Sequence, residues 1–301
     1  MAVEKLTLQQ KLTAEWQWLR QKAYAQNMRM HSTLIEWSIR KASASHRTLP
    51  NCMIVGAQKA GSSSLYHYLV QHPQVHASFS KEKHYFDGGT VANLDTFAKG
   101  QPWYQAHFPL KTQVKPGDVC IDASPLYLFN PLVAQRIKAQ IPHCKIIILL
   151  RNPVERAISH YYHVKRFGHE KLTLKDALAQ ESNRLANALN RKDYQDPAFR
   201  LYSYQARGLY LQQIALYQQH FASEQILILN SEVLFSRPED ILPRVFDFLN
   251  LDTDYQVPDL KAVNTGNNKT KIAPQDYQSL QDYFALPNQA LFEHLGETYV
   301  W

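Results

Sequence analysis

The sequence predicts an α/β protein in which a central parallel sheet carries helices on both faces. Short apolar runs recur at 52–56, 75–77, 118–121, 145–150 and 225–230, separated by stretches of helical length and pattern. One of them, Lys145-Ile146-Ile147-Ile148-Leu149-Leu150, is almost wholly apolar, as expected of a strand covered on both faces. Strands alternating with helices call for crossover connections and hence parallel pairing. At 301 residues and 45% hydrophobic, the chain is long enough to bury one full core.

In chain order, residues 1–48 form a basic extension. They hold eight Lys/Arg and three Glu, a net of +5 against +7 for the whole chain. Leu8, Leu12, Trp16 and Leu19 recur at helical spacing, and Ile35 with Ile39, flanked by Leu34 and Trp37, makes a second apolar stripe. Two readings stand: helices packed on the domain that follows, or an arm that docks on a partner, a second copy or an anionic surface. Residues 49–301 form the second unit, with helices expected at 62–72, 131–140, 154–166, 173–190, 205–221 and 238–249. The three cysteines, Cys52, Cys120 and Cys144, lie in or beside apolar runs and read as buried free thiols in a reducing compartment. No stretch approaches the roughly 18–20 apolar residues of a membrane span, and no secretory leader is visible. The basic excess sits on a short arm without a nucleic-acid reader motif, so nucleic acid is not expected as a partner.

The turn after the first strand, Gly56-Ala57-Gln58-Lys59-Ala60-Gly61-Ser62-Ser63-Ser64, leads directly into a helix. Such a turn gathers backbone N–H groups and a positive helix end, which suits a phosphate. This is the layout of a P-loop-type three-layer fold. The nucleoside triphosphate loop, however, puts lysine directly after its second glycine. Here a serine follows Gly61 and the lysine lies two places earlier, at Lys59. That shift disfavours a kinase or NTPase and points to another nucleotide. A second anion site follows the 145–150 strand, where Arg151-Asn152-Pro153 opens a helix reaching Ser159.

With these two segments in hand, the chain resembles the sulfotransferase family, in its heparan sulfate sulfotransferase-like branch. Lys59, Ala60, Gly61, Ser62, Ser63 and Ser64 resemble that family's 5′-phosphosulfate loop, and Arg151 with Ser159 its 3′-phosphate site. Lys81-Glu82-Lys83-His84-Tyr85-Phe86-Asp87 resembles the stretch bearing the family's catalytic glutamate. Ala206-Arg207-Gly208-Leu209-Tyr210 with the 225–232 run, and the tail from Tyr283 to Trp301, complete the order. The likeness runs from about residue 50 to the last.

The resemblance implies transfer of a sulfuryl group from 3′-phosphoadenosine 5′-phosphosulfate to a hydroxyl or amine, leaving adenosine 3′,5′-bisphosphate, with no metal required. It implies in-line displacement, with Lys59 and the N–H groups about Gly61 stabilising the leaving phosphate. Such donors are worth roughly 3–4 kcal/mol each in a dry site. Glu82 is the implied general base, its pKa raised by the apolar patch of Tyr85 and Phe86, with His84 as alternative base or orienting residue. Lys83 stands where relatives often have proline. Ala123 stands where relatives often have a lysine, so a second active-site cation has to come from elsewhere, Lys81 or Lys83 being candidates. Asp122 reads as a strand-end hydrogen-bonding residue. The polar segment 264–271 matches a basic loop over the 3′-phosphate, which makes Lys269, Thr270 and Lys271 nucleotide contacts. Lys83, Trp103, Tyr104, Arg166 and Tyr204 are the candidate acceptor contacts. The acceptor, a carbohydrate or natural product, stays open. A membrane anchor is usual in animal relatives and not seen here, so the chain is read as a soluble, cytoplasmic, bacterial member. A non-catalytic nucleotide-binding scaffold remains the alternative.

Overall fold

The computed structural model of the chain describes residues 36–91, 94–263 and 272–301. Among them, five strands form one parallel sheet: β1 (Cys52–Gly56), β2 (Val75–Ala77), β3 (Val119–Ala123), β4 (Lys145–Leu150) and β5 (Ile226–Asn230), in the order β2-β3-β1-β4-β5. β1 is central and pairs with β3 through Cys52↔Ile121 and with β4 through Ile54↔Ile147. Every residue of β1 and β3 is buried, which is why neither shows an alternating pattern. All five strands fall within two residues of the sequence expectation, because each apolar run is short and bounded by polar or turn residues.

The helices are α1 (Ser62–Leu69), α2 (Gln101–Gln105), α3 (Val133–Gln140), α4 (Pro153–Arg166), α5 (Leu174–Ala179), α6 (Glu181–Asn190), α7 (Pro197–Leu201), α8 (Tyr210–Gln218), α9 (Ser231–Ser236), α10 (Pro238–Leu249) and α11 (Pro274–Leu295). The single helix expected at 173–190 is two, α5 and α6, meeting at Gln180. The one expected at 205–221 starts later: 206–208 is a 3₁₀ turn, where a Cβ on Gly208 would lie 2.6 Å from Phe284 of α11. A main core forms around the sheet, and a second apolar cluster joins α4, α5 and α11 through Val154, Tyr161, Leu174 and Phe284. All three cysteines are buried and unpaired, and burial pushes the Cys52 thiol up to about 12.

The extension enters the described residues as a helical segment at 36–42. Trp37 packs against Phe79, Trp103 and His107, and Arg47 donates to the Phe108 carbonyl at 2.8 Å. Ile39 of the expected second stripe is 60% exposed, so in the described chain the indole, not that stripe, anchors the segment. The stripe Leu8, Leu12, Trp16 and Leu19, with Leu34 and Ile35, lies outside the described residues.

Candidate active site

The carboxyl ends of β1 and β4 are adjacent in the sheet, and the two segments expected to bind anions follow them, the arrangement in which open α/β sheets bind ligands. Three bonds pin the loop after β1. Ala57 N–H donates to Leu149 O at 2.7 Å, Ser231 Oγ to Ala60 O at 2.6 Å, and the Arg151 guanidinium to Lys59 O at 3.0 Å. Lys59 adopts φ 71° and Gly61 φ 92°, which turns the chain abruptly into α1. At Gly61 the positive φ and a Phe235 ring carbon 2.8 Å from where a Cβ would stand leave room for glycine alone. No side chain caps the start of α1. The N–H groups of its first turn, at Ser62, Ser63 and Ser64, have no partner inside the helix and are left for an anion. Burial, with Arg166 and Arg151 nearby, lowers the Lys59 pKa, and the Glu82 carboxylate opposes that shift.

Arg151 follows β4 with its guanidinium over the Phe235 ring, and Tyr210 Oη donates to its carbonyl at 2.8 Å. Asn152 caps α4, its side chain accepting from Val154 N–H at 2.9 Å. Its own N–H donates to Glu232, whose second oxygen accepts from the Trp301 indole at 3.1 Å. Ser159 sits half-buried two turns into α4.

The 81–87 segment is a loop, not a strand, hung on the end of β3. Glu82 N–H donates to Ala123 O at 3.1 Å, and Tyr85 N–H to the Tyr127 hydroxyl at 2.9 Å. Glu82 (φ 59°) and His84 (φ 49°) both hold left-handed backbone. With Lys59 they are three of the five non-glycine residues of positive φ among those described, and such strain gathers at functional sites. His84 Nδ1 bonds Asp87 Oδ2 at 2.7 Å and its Nε2 faces Glu82 Oε2 at 3.9 Å. Lys81 Nζ donates to Glu82 Oε1 at 3.2 Å and to Ser63 Oγ at 2.6 Å. The expectation of a raised Glu82 pKa is overturned. His84 is the largest influence and, with Lys81, outweighs burial, holding the carboxyl down at about 2. For His84, burial is the largest influence and opposes protonation, but Asp87 and Glu82 together raise it to about 9.

The remaining candidates divide. Arg166 is exposed on α4, close enough to Lys59 to influence its charge. Lys83 turns inward, donating to Ser80 Oγ, and burial lowers its pKa to about 8. Trp103 is half-buried among Trp37, Tyr85 and His107. Tyr104 and Tyr204 are buried in the core, their hydroxyls donating to Asp122 and Glu170 at 2.8 Å each. Asp122 is thus a buried strand-end acceptor, with its pKa raised by burial. Lys269, Thr270 and Lys271 lie outside the described residues. Asp87 had no role from sequence, and Lys81 only that of a candidate second cation. Their signal was adjacency, since both stand inside the motif that singled out Glu82 and His84.

The fold thus brings two loops that carry cations, Lys59 and Arg151, together at the ends of β1 and β4. The profile of the sulfotransferase domain matches residues 49–281, and the chain belongs to the sulfotransferase family. Its fold is that of a sulfotransferase from Alicyclobacillus acidocaldarius, with TM-score 0.69 and 30% identity over 84% of this chain and 98% of that one. In sequence it is 28% identical, over 84% of its length, to a bifunctional heparan sulfate N-deacetylase/N-sulfotransferase 1 of Caenorhabditis briggsae. It is also 28% identical, over 85%, to human heparan sulfate glucosamine 3-O-sulfotransferase 6. These relatives put it in the heparan sulfate sulfotransferase-like branch. It spans 31% of the length of the nematode protein and 74% of the human one. Among the described residues, no helix is long and apolar enough to cross a membrane.

Proposed function

We propose that this enzyme transfers a sulfuryl group from 3′-phosphoadenosine 5′-phosphosulfate to a hydroxyl or amine of a carbohydrate or natural-product acceptor. The observation that carries this reading is the Arg151–Lys59 bond, which sets two cations on adjacent strand ends beside the uncapped start of α1. A nucleotide phosphorylated at both ends of its ribose fits that pair better than one with a single phosphate chain. Lys59 and the N–H groups of Ser62, Ser63 and Ser64 hold the 5′-phosphosulfate, and Arg151 with Ser159 the 3′-phosphate. Lys269, Thr270 and Lys271 remain proposed contacts to it, and 1–48 and 49–301 the proposed units.

The bound donor supplies an activated sulfuryl group whose leaving phosphate gains charge as the bond breaks. Lys59 meets that charge in a partly buried position. Glu82 takes the acceptor's proton. A carboxyl held near 2 is ionised at every working pH, so the base is always ready. Its weak basicity suits uptake of a proton that becomes acidic only as the new sulfur–oxygen bond forms. His84, fixed by Asp87, orients the carboxylate. Arg166 and Trp103 remain the proposed acceptor contacts nearest the surface.

Calorimetric titration with adenosine 3′,5′-bisphosphate, against ATP and 5′-AMP, tests the reading. Selective binding of the bisphosphate supports it, and labelled donor then identifies acceptors. Equal or tighter binding of ATP sinks it in favour of phosphoryl transfer.

A further inference from the structure

The Lys81 ammonium bonds two groups that the proposed reaction keeps on opposite sides. One is Ser63 Oγ, 2.6 Å away in the first turn of α1, where the donor phosphosulfate is held. The other is Glu82 Oε1, 3.2 Å away, the proposed acceptor of the proton. Both contacts come from a single nitrogen, so a sulfuryl group moving from the α1 end toward an oxygen beside Glu82 passes within reach of it. We propose, on the donor reading above, that Lys81 is a second catalytic cation, contacting the sulfuryl oxygens as the group crosses from donor to acceptor.

Three features support this assignment. Lys81 is the more enclosed partner, its side chain 20% exposed against 45% for Glu82, so its charge acts in a poorly screened position. Burial lowers its pKa, while Glu82 and then Asp122 oppose that shift and favour the charged form. The lysine two positions on cannot share the task, because Lys83 is buried against Ser80 and the Phe79 ring.

The electron and proton balance gives Lys81 its moment. The acceptor oxygen forms its bond to sulfur while the sulfur–oxygen bond to the leaving phosphate breaks, that electron pair passing to the phosphate. The acceptor's proton goes to Glu82. Once protonated, Glu82 no longer holds the Lys81 charge, and the ammonium is released to the sulfuryl oxygens when they carry most of the transferring charge. Lysine supplies this well, having three donors on a flexible stem.

The test uses the full chain with Lys81→Met and Lys81→Arg. It reads the affinity for adenosine 3′,5′-bisphosphate, which lacks the sulfuryl group, and the release of labelled sulfate from labelled donor with water as acceptor. The expected result for Lys81→Met is a roughly hundredfold slower release with bisphosphate affinity kept within about twofold, and Lys81→Arg recovering to within about tenfold. The acid limb of the release rate should also move to higher pH in Lys81→Met, because Glu82 loses a cationic neighbour. Release within about threefold of the wild type in Lys81→Met overturns the proposal. So does a loss of bisphosphate affinity in step with the rate, unrescued by arginine, which marks Lys81 as a brace for α1. A wild-type chain that prefers ATP to the bisphosphate fails at the earlier step: it removes the donor reading, and this proposal with it.

Discussion

The Arg151 guanidinium donates to the main-chain carbonyl of Lys59 at 3.0 Å, so the two cations proposed to grip opposite ends of the donor are themselves joined. Lys59 is held at φ 71°, where a lysine does not rest without support, and Arg151 supplies part of that support. Arg151→Ala therefore removes a 3′-phosphate contact and loosens the phosphosulfate loop. A charge-assisted hydrogen bond lost from such a site is worth about 1.5–3 kcal/mol, so affinity for the bisphosphate should fall roughly 10- to 150-fold. Affinity for 5′-AMP should fall far less, and calorimetry with both nucleotides reads the difference. An equal loss on both means that Arg151 serves the loop alone.

Glu82, His84 and Asp87 form a chain whose pH behaviour is set by the direction of each shift. His84 is raised from 6.5 to about 9, so the stability it contributes is full below its ordinary pKa and is lost as pH rises through about 9. Glu82 is lowered from 4.5 to about 2, so its contribution is present above 4.5 and is lost as pH falls toward 2. Melting temperature plotted against pH should accordingly drop between pH 6.5 and 9, and Asp87→Asn should flatten that drop by removing the partner 2.7 Å from Nδ1. Glu82→Gln should slow transfer about a hundredfold or more while leaving bisphosphate affinity nearly unchanged. Full activity in that variant would remove Glu82 as the base.

What the sequence disclosed follows from where each signal lies along it. Each strand is a contiguous run, and the segments 59–64 and 151–159 are contiguous too, so their residues could be read before any fold was known. Contacts between distant segments could not. Ser63 meets Lys81 across 18 positions, and Arg151 meets Lys59 across 92. The tyrosines show the same limit from the other side. Tyr104 and Tyr204 looked like acceptor contacts because an aromatic ring can stack on a sugar face, but in the structure buried carboxylates accept from both hydroxyls. The polarity of a tyrosine tip says that it has a partner, not whether that partner is a ligand or an aspartate in the core. The low Glu82 pKa was hidden for a third reason. Tyr85 and Phe86 were visible as an apolar neighbourhood, whereas the left-handed backbone that brings His84 toward Glu82 was not.

Gly61 tests whether the turn into α1 is as constrained as its geometry says. Alanine there must hold φ 92° and also push aside Phe235, whose ring lies 2.8 Å from the new methyl group. Left-handed backbone at a non-glycine residue costs about 1–3 kcal/mol, and Gly61→Ala should lose at least that much stability together with much of its bisphosphate affinity. Adding Phe235→Ala relieves the collision and leaves the backbone strain. The double variant should regain only part of the loss in denaturant melts and calorimetry, and full recovery would show that sterics, not φ, set the requirement.

Trp37 tests how far the extension reaches into catalysis. Its ring lies 4.4 Å from that of His107, stacks on Phe79 at 6.4 Å and meets Trp103 edge-on at 6.2 Å, while Arg40 covers Phe79 from 4.4 Å. Phe79 N–H in turn donates to the His107 carbonyl at 2.7 Å, so segment 36–42 and α2 together clamp the backbone two residues before Lys81. Burial, with Lys83 and Arg40 nearby, holds the His107 pKa down at about 3, so the ring under the indole stays neutral across the working range and the clamp does not depend on pH there. Loss of the aromatic contacts should cost roughly 1–2 kcal/mol in Trp37→Ala, read as a lower melting temperature. Because the clamp precedes Lys81 and Glu82 but touches neither Lys59 nor Arg151, the variant should also slow transfer while binding the bisphosphate normally. A fall in stability with transfer unchanged would make the segment a cover for the core and nothing more, since a loosened clamp that did not disturb Lys81 and Glu82 could not be what positions them.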